Sequence, residues 1–128
     1  MARTAARIYV PLDAVFFERR PGVDMSEQAQ NLYLRMCAKA KMLDCNGALS
    51  AKQIGSLGLT TWRKRLTELL TVVDEDGKPP VTERDDGTYY ITGWLNWNES
   101  SEARADRLAK DREKKAKYRE QREAEGDN

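Results

Sequence analysis

Three cations stand together at residues 63–65 within TTWRKRLTELL, and three threonines flank them. Arginine and lysine donate hydrogen bonds to phosphate oxygens and to the acceptor edges of bases, and threonine hydroxyls serve either target. Thr60, Thr61, Arg63, Lys64, Arg65 and Thr67 are therefore a candidate contact set for double-stranded DNA. A second set lies between residues 104 and 119. There eight cations (Arg104, Arg107, Lys110, Arg112, Lys114, Lys115, Lys117 and Arg119) outnumber three anions, Asp106, Asp111 and Glu113. Neutralising several phosphates releases condensed counterions, which gives affinity indifferent to sequence and steeply sensitive to salt. Both sets also have plainer readings. An amphipathic helix always keeps one face wet, and a charged helix can be held by close pairs such as Glu113 with Lys117.

The elements that must position these side chains are written in caps and turns. Asp24 or Ser26 caps a helix running to about Leu43, whose apolar residues Ala29, Leu32, Tyr33, Met36, Ala40 and Leu43 follow helical spacing. Cys37 falls among them and reads as core. Asn46-Gly47 ends that helix, Ala48-Leu49 allows a minimal strand, and Ser50 caps a short helix to about Leu57. Gly55 and Gly58 mark a tight turn. The next helix buries Trp62, Leu66, Leu69, Leu70 and Val73, turns Thr61, Lys64, Thr67, Glu68 and Thr71 outward, and carries Arg63 and Arg65 on its flanks.

After that helix, Asp74-Glu75-Asp76-Gly77 is a terminator and Pro79-Pro80 confines the next segment to a sheet edge. Asp85-Asp86-Gly87 then turns a hairpin into residues 88–92. The order helix, turn, cationic helix, hairpin is the plan of a winged helix-turn-helix, whose second helix docks in a major groove. Upstream, IYVPLDAVFF reads as an extended piece broken by Pro11, then an apolar turn plugging the core, with Arg19-Arg20-Pro21-Gly22 as an exposed loop. Trp94 and Trp97 in GWLNWN read as cover for the open edge of the core, with base stacking as the rival role. From Glu99 the composition changes: Ser100 or Ser101 caps a high-propensity helix that reaches about Glu125, and Glu120 to Asn128 reads as a frayed end.

The expected fold is thus mainly α with a small β-hairpin. Residues 7–98 form a winged helix-turn-helix, and residues 99–128 a long charged helical arm with a frayed or disordered end. The 128 residues suit one core plus an extension.

Composition removes whole classes of chemistry. The absence of histidine takes away the commonest general base and metal ligand together. Cys37 and Cys45 lack CxxC spacing, so no metal site is expected and reduced thiols in a cytoplasmic protein are the simplest reading. There is no phosphate-binding GxxxxGK loop and no GxSxG elbow, and the aspartates at the turns read as turn formers, so neither an enzyme nor a cofactor is expected. No stretch approaches the roughly 20 apolar residues that cross a bilayer.

Charge also argues against part of the plan. Asp74, Glu75, Asp76, Glu83, Asp85 and Asp86 outnumber Lys78 and Arg84 around the hairpin, so the wing would be repelled by a polyanion. This charge supports an alternative function: a protein-interaction module, a host-directed phage effector, using the acidic wing and the exposed helix face. Regulators that read two half-sites are commonly homodimers, but the arm has no heptad seam, and only the aromatics near Trp94 and Trp97 could serve as one.

The pieces IYVPLDAVFF, AQNLYLRMCAKAK, NGALSAKQIGSLG, LTELLTV and YYITGWLNWNESSEARADR together resemble the amino-terminal winged-helix domain of phage replisome-organiser and replication-initiation proteins, over about residues 8 to 120. The resemblance implies binding at a replication origin or recruitment of a helicase loader, a replication or host protein as partner, and residence in the host cytoplasm. Such organisers usually carry a further carboxy-terminal domain where a charged tail follows here, which leaves a small phage DNA-binding or regulatory protein as the narrower expectation.

Overall fold

A computed structural model describes residues 10–12 and 15–126. The chain divides into two compact units, Met1–Asn98 and Glu99–Asn128. The first is mainly helical with a small antiparallel sheet; the second is one long helix.

Helix α1 spans Glu27–Leu43 and begins at Ser26, whose Oγ accepts from the Ala29 amide at 3.1 Å. Asp24 caps nothing and pairs instead with Arg20 at 3.0 Å. One stripe of α1 (Ala29, Leu32, Tyr33, Met36, Cys37 and Ala40) is buried and forms the spine of the core. Leu43 breaks the expected pattern at 41 % exposure, because α1 ends there. Its terminator is Asp44 in the left-handed region (φ 52°), rather than Asn46-Gly47. Gly47 still has a fixed role: at φ 83° it passes so close to Trp94 that a Cβ would lie 2.5 Å from the indole Cγ.

Strand β1 (Ala48–Leu49) leads into α2 (Ala51–Gly55), which ends two residues before the expected Leu57. A complete capping box opens α2: the Ser50 Oγ accepts from the Gln53 amide at 3.1 Å, and the Gln53 Oε1 accepts from the Ser50 amide at 2.8 Å. Helix α3 covers Trp62–Thr71 and buries Leu66 and Leu69, with Trp62 and Leu70 half-buried. Val73, expected in the same stripe, is 42 % exposed because the helix stops at Thr71 and the chain turns extended at Val72.

Strands β2 (Val81–Glu83) and β3 (Tyr89–Ile91) form the hairpin, and β1 adds to the other side of β3, giving the order β1-β3-β2. Val81 faces Ile91, and Ala48 faces Tyr90. The edge position that Pro79-Pro80 requires is the one β2 occupies. The tip closes on itself, since the Asp86 Oδ1 accepts from both the amide (2.9 Å) and the hydroxyl (2.6 Å) of Thr88. These bonds hold the Asp86 carboxyl below the usual carboxylate range. The Arg84 amide also donates to the Thr88 carbonyl at 2.8 Å.

Leu49, Ile54, Val81, Ile91 and Trp94 complete the core. Trp94 lies in a short helix α4 (Trp94–Trp97) and is buried, with Trp97 half-buried against it at a centroid distance of 5.2 Å. Phe16 stacks on Tyr33 at 5.0 Å, so that part of the expected apolar plug sits on the core. Ile8, Tyr9, Asp13 and Ala14 of the same segment, with residue 7, lie outside the described residues. The loop at 19–22, expected to be exposed, has a buried member, Gly22, where a Cβ would overlap the Phe16 carbonyl. Burial pushes the Cys37 thiol up to about 12, while a hydrogen bond with Tyr33 works the other way. Both cysteines are free.

In the second unit, the Ser100 Oγ accepts from the Ala103 amide at 3.1 Å and opens helix α5, Ser101–Gly126. No residue of α5 is buried. The helix continues through the stretch expected to fray as far as Gly126; Asp127 and Asn128 lie outside the described residues. Among the described residues no helix is long and apolar enough to cross a membrane.

Candidate nucleic-acid interface

The start of α3 is held from two sides. Gly58 takes the left-handed turn between α2 and α3 at φ 89°, a conformation that costs a residue with a Cβ. From α1, the Arg35 Nη1 donates to the Leu57 carbonyl at 2.7 Å while its Nε donates to the Asn31 Oδ1 at 3.0 Å. Arg35 thus latches the turn that aims α3. Local spacing carries no sign of this role, because the partner carbonyl is 22 residues away. Gly55 supplies the close approach of α2 and α3, since a Cβ there would sit 3.2 Å from the Trp62 ring.

Of the candidate residues, Thr60, Thr61, Arg63, Lys64 and Thr67 are exposed. The Arg63 guanidinium lies 5.2 Å from the Trp62 ring centroid, a cation–π contact that steadies it beside the first turn. Thr61 occupies the N-cap position without making a side-chain cap bond, which leaves its hydroxyl available. The Thr67 hydroxyl donates to the Arg63 carbonyl at 3.0 Å, so it is engaged locally while its oxygen stays at the surface. The positive end of the helix dipole adds to the field of Arg63 and Lys64.

Arg65 departs from its expected place on an outward flank. Its side chain is 19 % exposed and its Nη1 pairs with the Glu68 Oε1 at 3.3 Å. Its Nε is buried without a hydrogen-bond partner. Glu68, expected outward, also turns in: its Oε2 accepts from the Ser26 amide at 2.7 Å and its Oε1 from the Ser26 hydroxyl at 2.9 Å. A capping box normally takes a Glu or Gln from the third helical position to satisfy the cap amide. In α1 that position is Ala29, and Glu68 from α3 supplies the carboxylate instead. Partial burial works to raise the Glu68 pKa, but the bonds from Ser26 and Arg65 outweigh it and hold the carboxyl below its usual value. Arg65 and Glu68 therefore fasten α3 to the start of α1 and present little charge to a ligand.

The hairpin surface is acidic, with Glu75, Asp76, Glu83, Asp85 and Asp86 exposed. Arg84, one of its two cations, lies over the Tyr90 ring at 4.1 Å. Asp74 is a turn former, its Oδ1 accepting from the amides of Asp76 and Lys78 at 2.9 Å each.

Along α5, Arg104, Arg107, Lys110, Arg112, Lys114, Lys115, Lys117 and Arg119 are all exposed. Arg107 is engaged: its Nε and Nη2 donate to the Glu99 carboxylate at 3.1–3.3 Å, which raises its pKa, and Asp111 lies 3.9 Å away. The expected pair of Glu113 with Lys117 is not among the ion pairs of the described residues. Arg122, outside the expected set, continues the cationic run and lies over the Tyr118 ring at 5.8 Å. Among the described residues no group of three or more His, Cys, Asp or Glu side chains could hold a metal ion. No protein-family model, no curated protein and no solved structure matches the chain.

Proposed function

We propose that the chain is a non-enzymatic, phage-type winged-helix DNA-binding protein acting in replication initiation or transcription control. In this assignment α2 and α3 are the helix-turn-helix, α3 enters the major groove, and the β2–β3 hairpin is a wing kept off the phosphates by its own negative charge. The observation that carries the proposal is the outward pair Arg63 and Lys64 at the first turn of α3, next to Thr60 and Thr61, on a helix whose entry is fixed by Gly58 and Arg35. Helix α5 adds phosphate contacts that do not read sequence. The link to phage replication, and with it host cytoplasm and a replication partner, rests on the sequence resemblance alone.

Fluorescence anisotropy with random-sequence duplex DNA at two salt concentrations tests DNA binding. Binding that weakens steeply as salt rises is expected. Arg63→Ala with Lys64→Ala is expected to abolish preference for a selected site while retaining affinity for random duplex. Absence of binding at low salt refutes the assignment and favours the second reading, a protein-interaction module. The exposed acidic hairpin favours that reading, because its carboxylates suit a basic protein partner.

A further inference from the structure

Successive residues of an α-helix are turned by about 100° about its axis. On α5 this rotation sorts the charges. Glu102, Asp106, Glu113, Glu120 and Glu123 fall within one stripe about 120° wide, and the only other residues in that stripe are four alanines, at positions 105, 109, 116 and 124. No arginine or lysine lies in it. The remaining two thirds of the surface carries all nine cations of α5 against two anions, Asp111 and Glu125. Opposite charges four apart do meet across the border of the stripe, at Asp106 with Lys110, Glu113 with Lys117 and Arg119 with Glu123, but none of these closes an ion pair among the described residues. Lys110, Arg112, Lys114, Lys115, Lys117 and Arg119 stand on the cationic side with no side-chain ion pair among the described residues.

We infer that the cationic side of α5 is a docking surface for the phosphate backbone of duplex DNA, with the acidic and alanine stripe facing away from it. This deepens the DNA-binding assignment and rests on it. The partner follows from charge density. From Arg104 to Arg122 the helix advances about 27 Å, and nine cations over that length need a continuous polyanion. Duplex DNA offers one negative charge per about 1.7 Å of its axis. A protein interface would instead call for buried apolar and aromatic anchors, and the cationic side has only Leu108 and Tyr118, both exposed. A membrane surface would need a broad apolar face on the helix, which α5 lacks.

The test separates a face from a mere charge total, in the full-length protein. The quadruple exchange Glu113→Lys, Lys114→Glu, Arg119→Glu and Glu120→Arg leaves composition and net charge unchanged but puts anions on the cationic side and cations in the stripe. Anisotropy with random-sequence duplex DNA is expected to show at least a tenfold loss of affinity, with helicity by circular dichroism equal to the wild type. Neutralising Lys110, Lys114, Lys115 and Lys117 to Gln should flatten the slope of log K against log salt by about 3 to 4, near 0.9 per lost phosphate contact. An exchanged variant that binds as tightly as the wild type overturns the inference, as does tighter wild-type binding to duplex RNA or to anionic vesicles. If wild-type binding is strong and the exchange removes it while Arg63→Ala with Lys64→Ala changes nothing, the α5 surface stands and groove reading by α3 falls.

Discussion

Helices α3 and α5 carry cations at similar density and use them under opposite constraints. In α3 the core decides. Leu66 and Leu69 are pinned inside, so rotation about the axis is fixed and each cation's fate follows: Arg63 and Lys64 face out, and Arg65 turns in to Glu68 and Ser26. In α5 nothing is buried, so no packing selects a face, and it is the periodicity of the charges that distinguishes one side from the other. A cation on a packed helix is therefore judged by its partners, and a cation on a bare helix by its neighbours around the circumference.

Core deletion should break the comparison most sharply. Leu69→Ala is expected to cost about 2–5 kcal/mol in urea denaturation, as deletions in closed cores do, whereas Leu108→Ala in α5 should change stability by no more than about 0.5 kcal/mol. Equal losses would mean that α5 has a core of its own.

The Ser26–Glu68–Arg65 contact comes next. Glu68→Ala leaves the Ser26 amide and a partly buried guanidinium unsatisfied, and should cost about 1–3 kcal/mol. Because the folded Glu68 pKa lies below its unfolded value, its contribution is fully present above the unfolded value and is lost as pH falls towards the folded one. Denaturation midpoints measured between pH 7 and pH 3 should therefore fall less steeply for Glu68→Gln than for the wild type.

Ser100→Ala removes the α5 cap, worth about 1 kcal/mol of helix stability. Circular dichroism should show less helix while the cooperative unfolding midpoint of the first unit stays in place. The smallest effect is expected where function is proposed: Arg63→Ala and Lys64→Ala should each shift stability by less than about 0.5 kcal/mol, and Arg65→Ala, two positions on, should shift it more.

Local chemistry is legible in the sequence wherever it is self-contained. Ser26, Ser50 and Ser100 begin their helices because a hydroxyl meets an amide three residues on, and Asp86-Gly87 turns the hairpin because its bonds close within five residues. Contacts that cross the chain are not legible. The Glu68 carboxylate meets Ser26 across 42 residues, and the Arg35 latch and the pairing of β1 with β3 likewise join distant segments. Helical spacing alone places Glu68 outward and Arg65 on a flank, since a 3.6-residue period knows nothing of a vacant cap amide on another helix. Leu43 and Val73 depart from the spacing for a different reason: each continues the apolar rhythm up to or past the point where its helix stops. In the candidate site, residue type alone picks out Arg63, Lys64 and the threonines. The segregation of charge on α5, Arg122 included, needs only the angular arrangement, which a count of charges along the chain conceals.

The hairpin tip has a practical consequence. From Arg84 to Thr88 the hydrogen bonds are internal to the turn, the Arg84 guanidinium reaches back over Tyr90 of the neighbouring strand, and the apolar strand pair lies behind at Val81 and Ile91. The tip is thus a natural grafting point. A reporter peptide or fluorophore carried at Asp85 would ride on the ribbon while Arg84 keeps its place over Tyr90.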